Sequence, residues 1–212
     1  KTIVQGNLSN ASGEIGVSIQ AGGQWSGLAE TQGISFAGIS PLQQGQNTIT
    51  ATATDACGYQ AHDTVTINTE SIQEQIRLTA NPQSGIPDAT GTFSTTLETD
   101  ANLPNPITNY SWDTDGDGTA DQSGKDLSKI TAAYQTPCLY FPKVTITDSQ
   151  NNTYTETTIV NVFSKEQMDA LLKGKWEGMK GTLRSEDINT AISYFEASAQ
   201  ETYRAQFTAL KS

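Results

Sequence analysis

Apolar and polar residues alternate along most of the first three-quarters of this chain. Ile49, Ala51 and Ala53 are interleaved with Thr48, Thr50, Thr52 and Thr54, and Val65 and Ile67 with Thr64 and Thr66. A period of two with β-branched residues marks strands that bury one face. The pattern predicts strands over 2–8, 14–20, 34–39, 48–54 and 63–68, with turn signals at Ser12-Gly13, Gly22-Gly23 and Gln43-Gln44-Gly45. After a short polar linker it resumes, predicting strands over 75–80, 91–97, 107–112, 130–134, 139–147 and 154–163.

At Ser164 the period lengthens to that of a helix. Ser164-Lys165-Glu166-Gln167 has the form of a capping box. Met168, Leu171, Leu172, Trp176, Met179 and Leu183 then mark one helical face. Ser185-Glu186-Asp187 opens a second helix with Ile188, Ala191, Ile192 and Phe195 inward, and Tyr203, Phe207 and Leu210 continue a second or third helix. The chain therefore divides into a β domain at 1–69, a second at 75–163 and a helical segment at 164–212.

Charge narrows the range of functions. The net charge is −11 over 212 residues. Residues 1–163 hold 5 Lys+Arg against 16 Asp+Glu, whereas 164–212 hold 7 of each, so all the excess acid lies in the β-rich region. Such a chain has no electrostatic footprint for nucleic acid and should attract cations. No run of apolar residues is long enough to span a membrane. No signal peptide is visible, and Lys1 is not an initiator methionine, which points to a processed chain or a fragment.

The acid is concentrated in Asp113-Thr114-Asp115-Gly116-Asp117-Gly118-Thr119-Ala120-Asp121. Neighbouring carboxylates repel, so the loop calls for a cation, and oxygen-only ligands in a D-x-D-x-D-G spacing suit Ca²⁺. Asp113, Asp115, Asp117, Thr119 and Asp121 fall at positions one, three, five, seven and nine of such a loop. Position twelve is Gly124 rather than the bidentate glutamate, and the flanks read as strands. A solvated turn needing only its glycines is the bland reading.

Two stretches resemble known families. Gly45-Gln46-Asn47-Thr48-Ile49 through Asp55-Ala56-Cys57-Gly58 resembles the signature of bacterial Ig-like domains. Ala80-Asn81-Pro82, Tyr110-Ser111-Trp112-Asp113, Tyr134 to Tyr140 and Val144-Thr145-Ile146-Thr147-Asp148 together resemble a PKD domain, another small Ig-like sandwich. The chain departs from the first at Cys57, where a small residue is usual, and from the second at Cys138, where glycine is usual. The resemblances imply two tandem Ig-like β-sandwiches and a non-catalytic spacer or binding module of a bacterial cell-surface or secreted protein. The helical segment resembles a tetratricopeptide-type pair or the start of a nuclear-transport-factor-two-like domain.

Several single residues carry expectations. Two cysteines are too few for a structural zinc site or a disulfide-dense scaffold. In end-to-end sandwiches Cys57 and Cys138 sit at far poles, which makes a bridge between subunits easier than one within the chain. Such a head-to-tail contact builds a filament if it does not close; free thiols are the bland reading. His62, the single histidine, reads as a solvent-side strand residue. Trp112 is expected in the core, and Trp25 in core or edge packing, with a ligand platform as its alternative. Trp176 and Tyr203 are candidate partner anchors on the helices. The sequence has no nucleophile-elbow or phosphate-loop motif and no histidine cluster. The reading is a non-enzymatic extracellular structural module, Ca²⁺-stabilised, that associates with itself or with another surface protein. The alternative is a carbohydrate-binding or adhesion module using Trp25, Tyr59 or Tyr140.

Overall fold

The alternating residues of the first β domain become two facing antiparallel sheets. The computed structural model describes residues 1–10, 15–22, 25–55, 58–70 and 75–211. Here β1 (Thr2–Asn7), β5 (Ser35–Ser40) and β4 (Glu30–Gln32) form one sheet in the order β1-β5-β4. The other contains β2 (Ile15–Ala21), β3 (Trp25–Leu28), β6 (Gly45–Asp55) and β7 (Gln60–Thr69), in the order β3-β2-β6-β7. Val17, Ile19 and Ile49 fill the space between. Buried Asn47 explains the Gly-x-Asn phrase: its Oδ1 accepts from the Gln43 N–H at 2.7 Å, and its Nδ2 donates to the Gln43 carbonyl at 2.7 Å. The side chain thus pairs backbone groups that the turn before β6 would otherwise leave unmet.

The second β domain repeats the plan with more strands. β8 (Ile76–Asn81), β10 (Phe93–Ala101) and β13 (Lys129–Tyr134) form a sheet ordered β13-β10-β8. β11 (Ile107–Asp113), β12 (Gln122–Gly124), β15 (Lys143–Asp148) and β16 (Thr153–Thr157) form the opposing sheet, β12-β11-β15-β16. A small third sheet joins β14 (Cys138–Tyr140), β17 (Val160–Val162) and β9 (Ser84–Gly85), with β9 parallel to β17. The expected strand at 139–147 is split because Pro142 has no N–H to give a ladder. Leu97, Trp112, Val144, Ile146, Val160 and Val162 are the sealed centre of this core.

Asp148 ends β15 and builds the turn that follows. Its Oδ1 accepts from the N–H groups of Gln150 and Asn152 at 2.8 and 2.9 Å, and its Oδ2 from the side-chain amides of Asn105 and Asn152, both at 2.9 Å. Burial pushes its pKa up, but these hydrogen bonds outweigh it and hold the carboxyl well below the ordinary range.

The sandwiches meet along their sides. Asn161 Nδ2 donates to Glu30 Oε2 at 3.1 Å, Gln32 Nε2 donates to the Val162 carbonyl at 2.8 Å, and Lys1 Nζ lies 3.7 Å from Glu156 Oε1. These contacts correct the end-to-end premise: both ends of the β1-β5-β4 sheet lie against the second sandwich. Lys1–Ser164 accordingly form one compact unit and Lys165–Ser212 another.

The second unit is helical: α1 (Lys165–Arg184), α2 (Ile188–Ile192) and α3 (Ala197–Lys211). Asp187 caps α2 by accepting the Thr190 N–H at 3.0 Å. Met179, Ala191 and Ile192 are its buried residues among the described ones. Leu172 and Trp176, expected on the inward face, are exposed, because the apolar stripe of α1 is wider than the surface its short neighbour covers. No helix is long and apolar enough to cross a membrane among the described residues.

Replacing Trp112 by Ala should cost about 3–5 kcal/mol, read from chemical denaturation, because a large side chain is removed from a sealed site. The sign for Asp148 follows from its depressed pKa. It stabilises the fold above the unfolded carboxylate pKa, and this contribution is lost as pH falls through the lower folded value. Asp148→Asn should therefore melt lower at neutral pH and show a shallower loss of stability below about pH 4 than the parent.

Candidate functional site

The acidic loop is rooted in the core of the second sandwich. Trp112 and Asp113 are adjacent at the end of β11, and both are buried. The Trp112 indole donates to the Leu127 carbonyl at 2.8 Å, and the Trp112 carbonyl accepts from the Asp121 N–H at 2.7 Å. The loop therefore leaves and re-enters the sheet around one tryptophan.

Within it, carboxylates and backbone amides interlock. Asp113 Oδ1 accepts from the Gly116 N–H at 2.7 Å and Oδ2 from the Gly118 N–H at 3.0 Å. Asp115 and Asp117 each accept an N–H two residues on, from Asp117 at 3.1 Å and Thr119 at 2.6 Å. Gly116 and Gly118 turn the chain at φ +83° and +94°. One oxygen from each of Asp113, Asp115 and Asp117 lies within 4.8 Å of the others.

Of the five residues expected to ligate, the structure converges these three. Asp121 turns to Thr114 instead: its Oδ2 accepts from the Thr114 N–H at 2.7 Å and from the Thr114 hydroxyl at 2.5 Å. Thr119 meets the group through its N–H, which donates to Asp117 Oδ1.

Two residues missed in the sequence complete the surroundings. Lys143, at the start of β15, brings Nζ to 3.4 Å from Asp113 Oδ2. It pairs across the ladder with Asp113, a neighbour visible only once the β11–β15 register is known. Tyr134 donates its hydroxyl to the Thr114 carbonyl at 2.7 Å, tying the loop to the opposite sheet. Burial first, then Tyr140 and the carboxylates of Asp115 and Asp121, push this hydroxyl well above the usual tyrosine range, so it remains a donor.

The other expected residues are dispersed. Cys57 lies outside the described residues. Cys138 is exposed at the start of β14, in a cleft of about 460 Å³ that it lines with Leu139, Gln5, Asn7, Gln32 and Ser35. It faces the first sandwich rather than a free pole. Trp25 is half-buried at the start of β3, with its ring beside Gly27. Tyr140 is spent on packing: its ring lies 4.3 Å from that of Tyr134 and its hydroxyl donates to the Thr136 carbonyl. Tyr59 is 78% exposed. Tyr203 stacks on Phe195 at 3.8 Å, so it is a packing residue of the helices, while Trp176 is 57% exposed beneath Lys180.

No protein-family model matches this sequence, and no curated protein matches it. Solved structures are similar to it. Fibronectin(III)-like modules of Clostridium thermocellum CbhA superpose with TM-score 0.32 at 10% identity, over 77% of this chain and 87% of theirs. The amphioxus IgVJ-C2 molecule does so at 0.28 and 13%, over 75% and 96%. A 1.5-MDa bacterial ice-binding adhesin gives 0.28 and 15%, over 76% of this chain and 57% of the adhesin chain. These superpositions are loose, and the functional reading of this chain rests on its own residues. In class it is a mainly β protein of Ig-like sandwiches with a short helical C-terminal segment.

Gly116 takes a left-handed conformation, and a Cβ there would lie 2.9 Å from the Phe141 carbonyl oxygen. Gly116→Ala should destabilise the second sandwich by about 1–3 kcal/mol, measured by chemical denaturation.

Proposed function

We propose that this chain is a non-enzymatic structural module of a bacterial cell-surface or secreted protein, with Ca²⁺ held by Asp113, Asp115 and Asp117. The observation that carries the reading is the convergence of three carboxylate oxygens within 4.8 Å, on a loop whose two ends are fastened to a sealed tryptophan. The donor set fits the ion: all oxygen, with a left-handed glycine at the sixth position of the loop. Carboxylate oxygens that already accept one N–H retain lone pairs for a metal. Lys143 supplies one positive charge beside Asp113, so the loop without metal is partly neutralised and the ion competes with an ammonium group.

In this role the ion fastens the start of the loop to its middle and stiffens the link from β11 to β12. The PKD-like phrases of the second sandwich agree with a spacer of this kind, as does the net charge of −11. The presence of one histidine and no phosphate-loop or nucleophile-elbow motif supports a role without catalysis. A glycan-binding or adhesion role is the second reading, favoured by the exposed ring of Tyr59 beside a hollow that Asp55 and His62 also line. Self-association into a filament is the third, and Cys138 is its exposed handle.

Thermal melts with chelator and with CaCl₂ test the metal. At 100 times its Kd, Ca²⁺ should add about 2.7 kcal/mol of stability. Asp115→Asn combined with Asp117→Asn should abolish the gain, and Lys143→Met should reach it at lower Ca²⁺. Melts indifferent to Ca²⁺ would remove the ion from the reading.

A further inference from the structure

Contact between the two sandwiches is incomplete. Glu30 and Gln32, two apart on β4, share a face of the β1-β5-β4 sheet, and both reach the second sandwich. Register carries that face across the sheet: Gln32 pairs with Ser35, and Ser35 with Asn7. Gln5, two residues before Asn7 on β1, lies on the same face. Pro137, Leu139 and Phe141, around Cys138, come from the second sandwich. These residues line a cleft of about 460 Å³, a size usual for small-molecule sites at domain interfaces.

The polar groups of the cleft have hydrogen-bonding capacity to spare. Asn7 Oδ1 accepts from the Ser35 hydroxyl at 2.9 Å, which leaves the Asn7 Nδ2 group as a donor without a partner among the described residues. Gln32 Nε2 is spent on the Val162 carbonyl, while its Oε1 is buried and meets no donor among the described residues. The Gln5 amide adds a donor and an acceptor. Asn7, Ser35 and Gln32 therefore form one row across three strands, about 4.8 Å from each to the next. Leu139 and Phe141 supply an apolar side.

The chemistry of this lining selects the ligand. Apart from the Cys138 thiol, no residue of the lining ionises. A charged ligand would give up its hydration for a cleft that offers no counter-charge. An extended peptide would need a strand edge to pair with, and β14 offers three residues. Sugar hydroxyls both donate and accept, as the amide and hydroxyl side chains of the row do. The C–H faces of sugar rings pack on apolar side chains.

We infer that the cleft between the sandwiches binds a short neutral glycan. Its sugars lie along the Asn7–Ser35–Gln32 row. One hydroxyl donates to Gln32 Oε1, and the C–H faces rest against Leu139 and Phe141. This site rests on the glycan-binding reading and replaces the hollow beside Tyr59 as its location. It stands apart from the Ca²⁺ reading, because Asp113, Asp115 and Asp117 do not line the cleft.

The test titrates the 212-residue chain calorimetrically with neutral tetrasaccharides of glucose, xylose, mannose and N-acetylglucosamine. Tetragalacturonate is the charged control. At least one neutral sugar should bind with a Kd on the order of 0.1–1 mM, and tetragalacturonate about tenfold more weakly. Gln32→Leu should weaken the neutral sugar about tenfold, and Asn7→Ala about threefold. Asn7 is exposed, so its variant stays readable even if Gln32→Leu loosens the contact between the sandwiches. In a Cys57→Ser background, saturating sugar should slow alkylation of Cys138 about threefold or more, which locates the sugar in the cleft. Binding that Tyr59→Ala abolishes and Asn7→Ala leaves intact would keep the glycan reading and overturn this site. Unprotected Cys138, or a preference for tetragalacturonate, overturns the inference as well. No binding of any neutral sugar up to about 10 mM overturns the site and the glycan reading together.

Discussion

Trp112 is the residue around which the second sandwich is arranged. Its indole fills the core, and its N–H must find a partner there, because an unmet donor in an apolar interior costs more than a hydrogen bond returns. The Leu127 carbonyl meets that need. Since Leu127 lies in the segment between β12 and β13, the bond fixes that connection as well as the ring. The backbone of the same tryptophan receives Asp121, which closes the loop begun at Asp113. One side chain therefore sets the core, the returning segment and the span of the acidic loop together.

Much of this was legible in the sequence, for identifiable reasons. The Thr48–Thr54 alternation gave β6 its inward face, and Asp187 announced the start of α2, because period and caps are local properties. What escaped is what depends on partners distant in sequence. The short strands β3, β4, β9 and β12 carry too few residues to show a period. The break at Pro142 was readable in principle, since proline cannot serve a ladder from within, yet the apolar run continues across it. Lys143 became a neighbour of Asp113 only through strand register. Asp121 kept the right spacing for a ligand, but its Oδ2 is held by the N–H and the hydroxyl of Thr114, apart from the three converging carboxylates.

The contact between the sandwiches was legible least of all. It rests on polar side chains: Glu30 and Gln32 from a three-residue strand, and Asn161, which is fully buried. Sequence patterns mark apolar faces, and a buried asparagine in a strand looks like an exposed one. Polar contacts of this sort give orientation more than adhesion, because each bond replaces one that water would have made. They set how the β1-β5-β4 sheet meets β17, and Asn161 also donates its N–H to the Gln83 carbonyl inside its own sandwich.

The parallel pairing of β9 with β17 gives the second sandwich a mechanical character. These strands lie near the two ends of the domain, and their bonds include Asn161 N–H to Gln83 O at 2.9 Å and Phe163 N–H to Gly85 O at 2.8 Å. Tension drawn between residue 75 and residue 164 pulls the two strands past each other along their length. The bonds then bear load in shear and together, whereas an antiparallel hairpin opened from its ends would lose its bonds in succession. A few hydrogen bonds in this geometry act as a clasp against stretching, next to residue 164 at one end and just behind β8 at the other.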